Sequence, residues 1–329
     1  MTRQWPAFWR DDGVTARALA PLAAGFQWIA MRRRRRLQRA AAAISVPLIV
    51  VGNIAVGGTG KTPLVIWLVR RAVALGWRPG IVLRGYGGRR RGVMAVGVES
   101  DPMMVGDEAL VIARQTRCPV HVGADRVAAA RALVSATAVD LVISDDGLQH
   151  YRLARDGEVV VVDAQRRHGN ERCLPAGPLR EPLARLNAVD RVIGKGGPVD
   201  GNGHQFRLRT GGLTPVAAGQ GRPPVPGDRV HGIAGIGDPD GFFDTLQRMG
   251  FVVNAHRFGD HHRYAPRDFA GMTDAPVVMT EKDAVKCDAL APPGSWYLPV
   301  HAEPDPRTAR SLDTLLTRAK QRFDSRRAA

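Results

Sequence analysis

Cysteine is scarce: Cys118, Cys173 and Cys287 lie far apart, form no C-x-x-C pair and leave an odd number in a chain of 329 residues. That excludes a disulfide framework and a zinc-ribbon pattern, and sparse unpaired thiols suit a reducing cytosol. Aromatic residues make up only 6% of the chain and none interleave with its basic runs, so the stacking platforms of a single-strand nucleic-acid binder are missing. Acidic side chains are outnumbered 47 to 31 by lysine and arginine, for a net charge of +16. A polyanionic partner is therefore expected. No apolar run is long enough to span a membrane. The segment Ala18 to Met31, apolar except for Gln27, would reach only about 21 Å as a helix, against roughly 30 Å of hydrocarbon. Its heavy charge follows the apolar stretch, whereas a cleaved export signal carries charge before it.

The N-terminal 44 residues hold nine arginines against two aspartates, and five of the arginines form the run Arg32 to Arg36. An apolar stretch with Phe26 and Trp28 followed by that run predicts a helix lying in the interface, with Leu22, Phe26 and Ile29 on the lipid face and arginines on anionic head groups. A basic helix packed on the protein's own core is the alternative. From Pro47 to Asp163, short apolar runs alternate with helical patterns. Strands are expected at Pro47 to Val51, Gly80 to Leu83, Val120 to Val122, Leu141 to Ser144 and Val159 to Val162, and helices at Pro63 to Leu75 and Asp125 to Ala136. This alternation predicts a doubly wound, mainly parallel α/β sheet. Glycine and proline dominate Thr210 to Asp228, and a further strand and helix pattern ends in an amphipathic helix from about Thr308. The expected division is a basic N-terminal helical segment over 1–44, a nucleotide-binding domain over 45–210, a linker over 211–228 and a smaller α/β domain over 229–329.

The strongest local signal is Ala55-Val56-Gly57-Gly58-Thr59-Gly60-Lys61-Thr62, set between an apolar strand and a helix. Glycines there let backbone N–H groups face an anion, the helix N-terminus adds positive potential, Lys61 can reach the β and γ phosphates, and Thr62 can ligate Mg²⁺. Ala55 stands where such P-loops usually begin with glycine. A second signal, Leu141-Val142-Ile143-Ser144-Asp145-Asp146-Gly147, delivers two carboxylates at the end of a strand. In an open parallel sheet that end faces the ligand crevice, where a carboxylate can hold Mg²⁺ directly or through water. An alcohol acceptor also needs a proton acceptor, for which Gly106-Asp107-Glu108 and Asp260-His261-His262 are the candidates. Taken alone, the first reads equally as a helix start and the second as a polar loop.

Together these residues resemble the tetraacyldisaccharide 4′-kinases of lipid A biosynthesis. The likeness runs through Val51-Gly52-Asn53, Arg84-Gly85-Tyr86-Gly87-Gly88, Gly106-Asp107-Glu108 and Asp145-Asp146-Gly147-Leu148-Gln149-His150. It continues in Leu174 to Pro182, Asp260-His261-His262 and Thr280-Glu281-Lys282-Asp283-Ala284-Val285-Lys286. The resemblance implies transfer of the ATP γ-phosphate, with Mg²⁺, to the 4′-hydroxyl of a lipid A disaccharide precursor, giving lipid IVA and ADP. It implies Asp107 as base helped by His261, or by His262 in its place. Ala55 to Thr62 would hold ATP, with Thr62, Glu108, Asp145 and Asp146 around the metal. Arg84, Gln149, Arg180, Glu181 and His262 would line the site. A monomer at the cytoplasmic face of the inner membrane is expected. The chain departs from the family at Gly169-Asn170-Glu171, where a second glycine is usual after the asparagine.

Two other classes compete. A P-loop switch NTPase or metallochaperone GTPase would need a guanine reader, N-K-x-D. Thr280-Glu281-Lys282-Asp283 has similar residues in the wrong order, and Val192-Ile193-Gly194-Lys195 lacks the aspartate. A nucleic-acid binder would explain the charge but not the missing aromatics.

Overall fold

The computed structural model describes residues 5–89, 92–217 and 221–328. Nine strands form the larger sheet: β1 (Leu48–Gly52), β2 (Pro79–Leu83), β3 (Met94–Val96), β4 (Val120–Val122), β5 (Leu141–Asp145), β6 (Gly157–Asp163), β7 (Arg191–Lys195), β8 (Gln205–Thr210) and β14 (Val300–Pro304). Their spatial order is β14-β8-β7-β6-β1-β5-β2-β4-β3, parallel except for the two edge pairs β3–β4 and β14–β8. The smaller sheet runs β11-β10-β12-β13-β9. Its strands are β9 (Thr214–Pro215), β10 (Arg229–Ala234), β11 (Val252–Arg257), β12 (Val277–Thr280) and β13 (Ser295–Leu298).

The central strands read as continuous apolar runs because both faces are covered, and every residue of β1, β2, β5 and β6 is buried. In chain order the helices are α1 (Val14–Ala18), α2 (Ala20–Arg39), α3 (Lys61–Ala74), α4 (Pro102–Val105), α5 (Asp107–Thr116), α6 (Arg126–Ala136), α7 (Pro239–Arg248), α8 (Glu281–Ala284) and α9 (Pro306–Ala328). One face of the larger sheet packs Leu64, Leu68, Leu110, Ile112, Leu312 and Leu316, from α3, α5 and α9. The other face packs Val127, Ala130 and Leu133 of α6, with Phe26 of α2 against it.

Two boundaries differ from the sequence expectation. The smaller unit does not run to the C-terminus. β14 pairs antiparallel with β8, and α9 buries Leu312, Leu315 and Leu316 in the core of the larger sheet. Arg71 fixes α9 through a bidentate pair with Asp313 at 2.6 and 2.8 Å, and Arg322 holds Asp190 at 2.8 Å. An amphipathic helix buries its stripe against whichever sheet has an uncovered face, here the first. The expected linker also contributes a strand, since β9 closes the smaller sheet against β13.

At the N-terminus α2 extends through all five arginines of the run. Its inner side carries Ala23, buried, and Phe26, packed on the core, whereas Leu22, Trp28 and Ile29 are about three-fifths exposed. Phe26 therefore does not share the outer face expected for it with Leu22 and Ile29. Among the described residues no helix is long and apolar enough to cross a membrane.

The loop at Gly169-Asn170-Glu171 keeps a left-handed backbone at the non-glycine position, with Glu171 at φ 62°. The shape is held by Asn170, whose side-chain amide donates to the carbonyls of Phe8 and Ala176 at 2.9 Å each. A β-carbon at that φ costs roughly 1–2 kcal/mol, partly offset by the entropy a glycine would lose. Glu171→Gly should therefore stabilise the protein by about 0.5–1 kcal/mol, read as a rise of about 1–3 °C in Tm. An unchanged or lower Tm would show that the exposed glutamate makes a compensating contact.

Candidate active site

β1 and β5 are parallel neighbours with Val51 opposite Asp145, so the two segments that continue them leave the sheet at the same edge and level. After β1 comes the glycine-rich loop, and α3 begins at Lys61 with Gly60 in a left-handed conformation as its N-cap. β5 ends on Asp145, and Asp146 follows at φ 50°, a turn that short polar residues tolerate. The Thr62 hydroxyl donates to Asp145 Oδ2 at 3.3 Å, and Lys61 Nζ lies 3.2 Å from Asp146 Oδ1 without the alignment of a hydrogen bond.

These two carboxyls differ in charge state. Burial, then the negative charge of Glu108, pushes Asp145 up to about 7. Burial also opposes ionisation of Asp146, but the charges of Lys61 and Arg180 outweigh it and hold that carboxyl low. Thr59 Oγ1, Asn53 Oδ1 and Asp145 Oδ1 are buried with no hydrogen-bond partner. Unpartnered buried polar atoms are costly, and this concentration of them fits a polar ligand and a cation at the loop. Among the described residues no group of three or more His, Cys, Asp or Glu converges as a metal cage. Mg²⁺, however, takes one or two protein ligands beside phosphate oxygens, and Thr62 with Asp145 supplies such a pair.

A second polar cluster draws on both units. Gly106, at φ 89°, caps α5, and a β-carbon on it would come within 2.5 Å of the Tyr86 carbonyl. The Arg84 to Gly88 loop thus presses directly on the helix start that carries Asp107. Asp107 Oδ1 accepts the Glu108 N–H at 2.8 Å, and His261 Nδ1 reaches Asp107 Oδ2 at 2.9 Å from the smaller unit. His261 adopts φ 58° and lies tilted against Tyr86, ring centroids 5.1 Å apart. The Asp107 hydrogen bond raises the His261 pKa against the opposing effect of burial. Burial likewise works against the Asp107 charge, but the His261 bond and the nearby Lys282 charge keep that carboxyl low.

Several expected site residues are placed differently. His262 bonds Asp268 at 3.0 Å and packs tilted on Phe258 and edge-on against Tyr264, so it braces its own loop. Glu108 is ion-paired with Lys282 of the smaller unit, while its charge also acts on Asp145, which accepts from Thr62. Glu181 is buried and accepts from Gln149 at 2.9 Å and from the Tyr151 hydroxyl, with Arg185 3.5 Å away. Gln149 also donates to the Asn53 carbonyl at 3.0 Å, so Gln149 and Glu181 support the entry to the glycine-rich loop from behind. Arg84 is exposed, and its charge helps to depress His150. Arg180 donates its backbone N–H to the Ile54 carbonyl at 2.6 Å, alongside the loop.

Sequence reasoning assigned no role to Lys282 and Lys286. Lys286 lies 2.8 Å from Asp283 Oδ1 and 3.9 Å from Asp107 Oδ2. The Thr280 to Lys286 motif was the signal that could have found both.

The raised Asp145 value generates a test. The native state holds this proton more tightly than the unfolded chain, whose carboxyl titrates near 3.8. The group's stabilising contribution is therefore full below about pH 4 and is lost as pH rises through 7. Asp145→Asn should raise the Tm of the ligand-free protein by several degrees at pH 8 and by clearly less at pH 5. Equal gains at both pH values, or a loss at pH 8, would show that Asp145 ionises at no cost.

Comparison with known proteins gives the family. The profile of the LpxK family, described as tetraacyldisaccharide-1-P 4′-kinase, matches residues 15–318. The tetraacyldisaccharide 4′-kinase of Halorhodospira halophila is 50% identical over 96% of this chain and 98% of its own. The kinase of the same name from Alkalilimnicola ehrlichii is 52% identical over 95% and 97%. A crystal structure of LpxK from Aquifex aeolicus in complex with ATP, 24% identical, superposes with a TM-score of 0.77 over 93% of this chain and 99% of that one, and so shares the fold. By the family profile and by relatives at half identity along nearly their whole length, the chain belongs to the tetraacyldisaccharide 4′-kinase family.

Proposed function

We propose that this chain transfers the γ-phosphoryl group of ATP to the 4′-hydroxyl of a tetraacyldisaccharide 1-phosphate, giving lipid IVA and ADP in lipid A biosynthesis. The observation that carries the reading is the convergence of two half-sites. Lys61, Thr62 and the Asp145–Asp146 pair stand at the end of the central strands, and the Asp107–His261 pair lies close by, since the charge of Glu108, next to Asp107, reaches Asp145. Family membership supplies the identity of the acceptor.

In this reading the loop from Ala55 to Thr62 is a P-loop whose N–H groups and Lys61 hold the phosphates. Mg²⁺, held by Thr62 and Asp145 with Asp146 alongside, would neutralise phosphate charge. Asp107 accepts the proton of the 4′-hydroxyl as its oxygen bonds to the γ-phosphorus and the bond to the ADP oxygen breaks. His261 fixes the Asp107 carboxylate and answers its charge. All these groups come from one chain, and a monomer suffices. A switch-type NTPase has no use for the Asp107–His261 pair and is the weaker reading.

In the assay, label from γ-³²P-ATP should pass to the purified lipid precursor in detergent micelles, and Lys61→Ala should abolish transfer. Asp107→Ala should lower kcat by about 10²- to 10⁴-fold with a much smaller change in KM for ATP. Nucleotide hydrolysis without lipid labelling would refute the substrate assignment, and a near-normal kcat would remove Asp107 from the role of base.

The same reading places the enzyme on the cytoplasmic face of the inner membrane, held by the outer side of α2. Leu22, Trp28 and Ile29 project there beside exposed Arg32, Arg33, Arg35 and Arg36, and Arg32 lies over the Trp28 ring at 5.6 Å. Arginines near an anionic surface contribute about 1 kcal/mol each. Replacing those four by glutamine should weaken binding to vesicles containing anionic lipid by at least about 10-fold and remove most of its salt dependence. Unchanged binding would place the anchor elsewhere.

A further inference from the structure

Trp5 lies outside the chemistry described so far and precedes the residues that the family profile matches, which begin at 15. Its indole Nε1–H donates to the carbonyl of Val56, in the glycine-rich loop, at 3.1 Å. The ring lies over the next residue, so that a β-carbon built on Gly57 would stand 3.6 Å from Nε1. It packs edge-on against Trp9, centroids 6.4 Å apart, and Trp9 donates to the Pro175 carbonyl at 3.0 Å. The backbone of Trp9 in turn accepts the Asn170 N–H at 2.8 Å. The N-terminal segment is therefore fastened at both tryptophans, and one fastening point is the loop itself.

A trans peptide is planar, so the carbonyl of one residue and the N–H of the next point in opposite directions. A donor that holds the Val56 carbonyl on one side of the loop also fixes the Gly57 N–H on the opposite side. Gly57 is the residue at which this plane could most easily turn over, since it sits at φ 99° and glycine crosses between positive and negative φ without a steric penalty. The following plane is held in the same way, by Asn53 Nδ2 donating to the Gly57 carbonyl at 3.3 Å. On the other flank, the Val56 N–H donates to the Pro178 carbonyl at 2.9 Å.

We propose that Trp5 is a positioning residue for nucleotide binding: its indole N–H locks the Val56–Gly57 peptide so that the Gly57 N–H faces the phosphates. The proposal rests on the ATP-dependent reading of the loop. Trp5 touches no reacting atom, so its effect falls on nucleotide affinity rather than on transfer. Because the segment carrying Trp5 runs directly into α1 and α2, the same contact ties the loop to the helix proposed to meet the membrane.

The test uses the full-length protein and two replacements at position 5 alone. One is Trp5→Phe. The other is 3-benzothienylalanine, which keeps the shape of the indole but has sulfur in place of N–H. Both should weaken binding of ATP by about 3- to 10-fold, the range for loss of one partly buried hydrogen bond. Both should raise KM for ATP by the same factor and leave kcat within about twofold. Unchanged affinity with the benzothienyl residue would overturn the proposal, since only the donor has been removed. Weakening with phenylalanine alone would assign the effect to packing and would also overturn it. Lys61→Ala separates this outcome from failure of the kinase reading. If wild type and Lys61→Ala bind ATP equally, the loop is not the nucleotide site. If only Lys61→Ala loses binding, the loop stands and the role of Trp5 falls.

Discussion

The arrangement depends first on a register. With Val51 opposite Asp145 in two parallel, fully buried strands, the glycine-rich loop and the acidic pair must emerge side by side, and no side-chain contact is needed to align them. The side chains then live with the consequence. Asp145 is forced into a dry position beside Glu108 and takes up a proton near neutrality, whereas Asp146, one residue further and turned left-handed, finds Lys61 and stays charged. A rigid frame that imposes unfavourable positions on charged groups is the usual basis of a prepared site. The unpartnered atoms of Asn53, Thr59 and Asp145 mark where that frame has left interactions for a ligand to complete.

Behind the loop the frame is polar as well. Glu181 is buried yet accepts hydrogen bonds from Gln149 and Tyr151, and Arg185 is shared between Glu181 and Glu158, the latter at 2.5 Å. Removing any one member of such a network strands the others as buried unpaired groups. This explains how residues that look from the sequence like substrate ligands come to sit one layer back. Arg180 and Glu181 are adjacent in the chain but face opposite ways, Arg180 influencing Asp146 and Glu181 entering the interior.

Much of the site was legible in the sequence because local patterns specify it. The apolar run before Asp145, the spacing of Gly57, Gly58, Gly60 and Lys61, and the glycine before Asp107 each encode a strand end or a helix start within a few residues. The rest was hidden because it is decided by tertiary pairing. His261 and His262 are chemically identical neighbours, and only the left-handed backbone at His261 sends one ring to Asp107 and the other to Asp268. Nothing in the pattern of α9 states which sheet it will cover, and the partner of Glu108 lies 174 residues away at Lys282.

The joint between the two units follows from the same distribution of contacts. The chain crosses between the sheets at two places, after β8 and before β14, and these lie side by side, with the Gly211 N–H donating to the Pro299 carbonyl at 2.9 Å. A body tethered along one line can turn only about that line. What opposes the turn is α5, whose core face belongs to the larger unit while its other side pairs with the smaller. Lys282 is on Glu108, Gln115 donates to Glu281 at 2.7 Å, Arg114 meets Asp288 at 2.5 Å, and His261 is on Asp107. Pairs as exposed as Arg114–Asp288 contribute only about 0–1 kcal/mol, so the polar hold on the joint rests more on the better buried Asp107–His261 pair. Val285, at the end of α8, is also buried in the core of the larger sheet, so a relative rotation would disturb an apolar contact as well as separate His261 from Asp107. The pair proposed to serve the acceptor hydroxyl is thus also one of the better buried polar contacts across the joint.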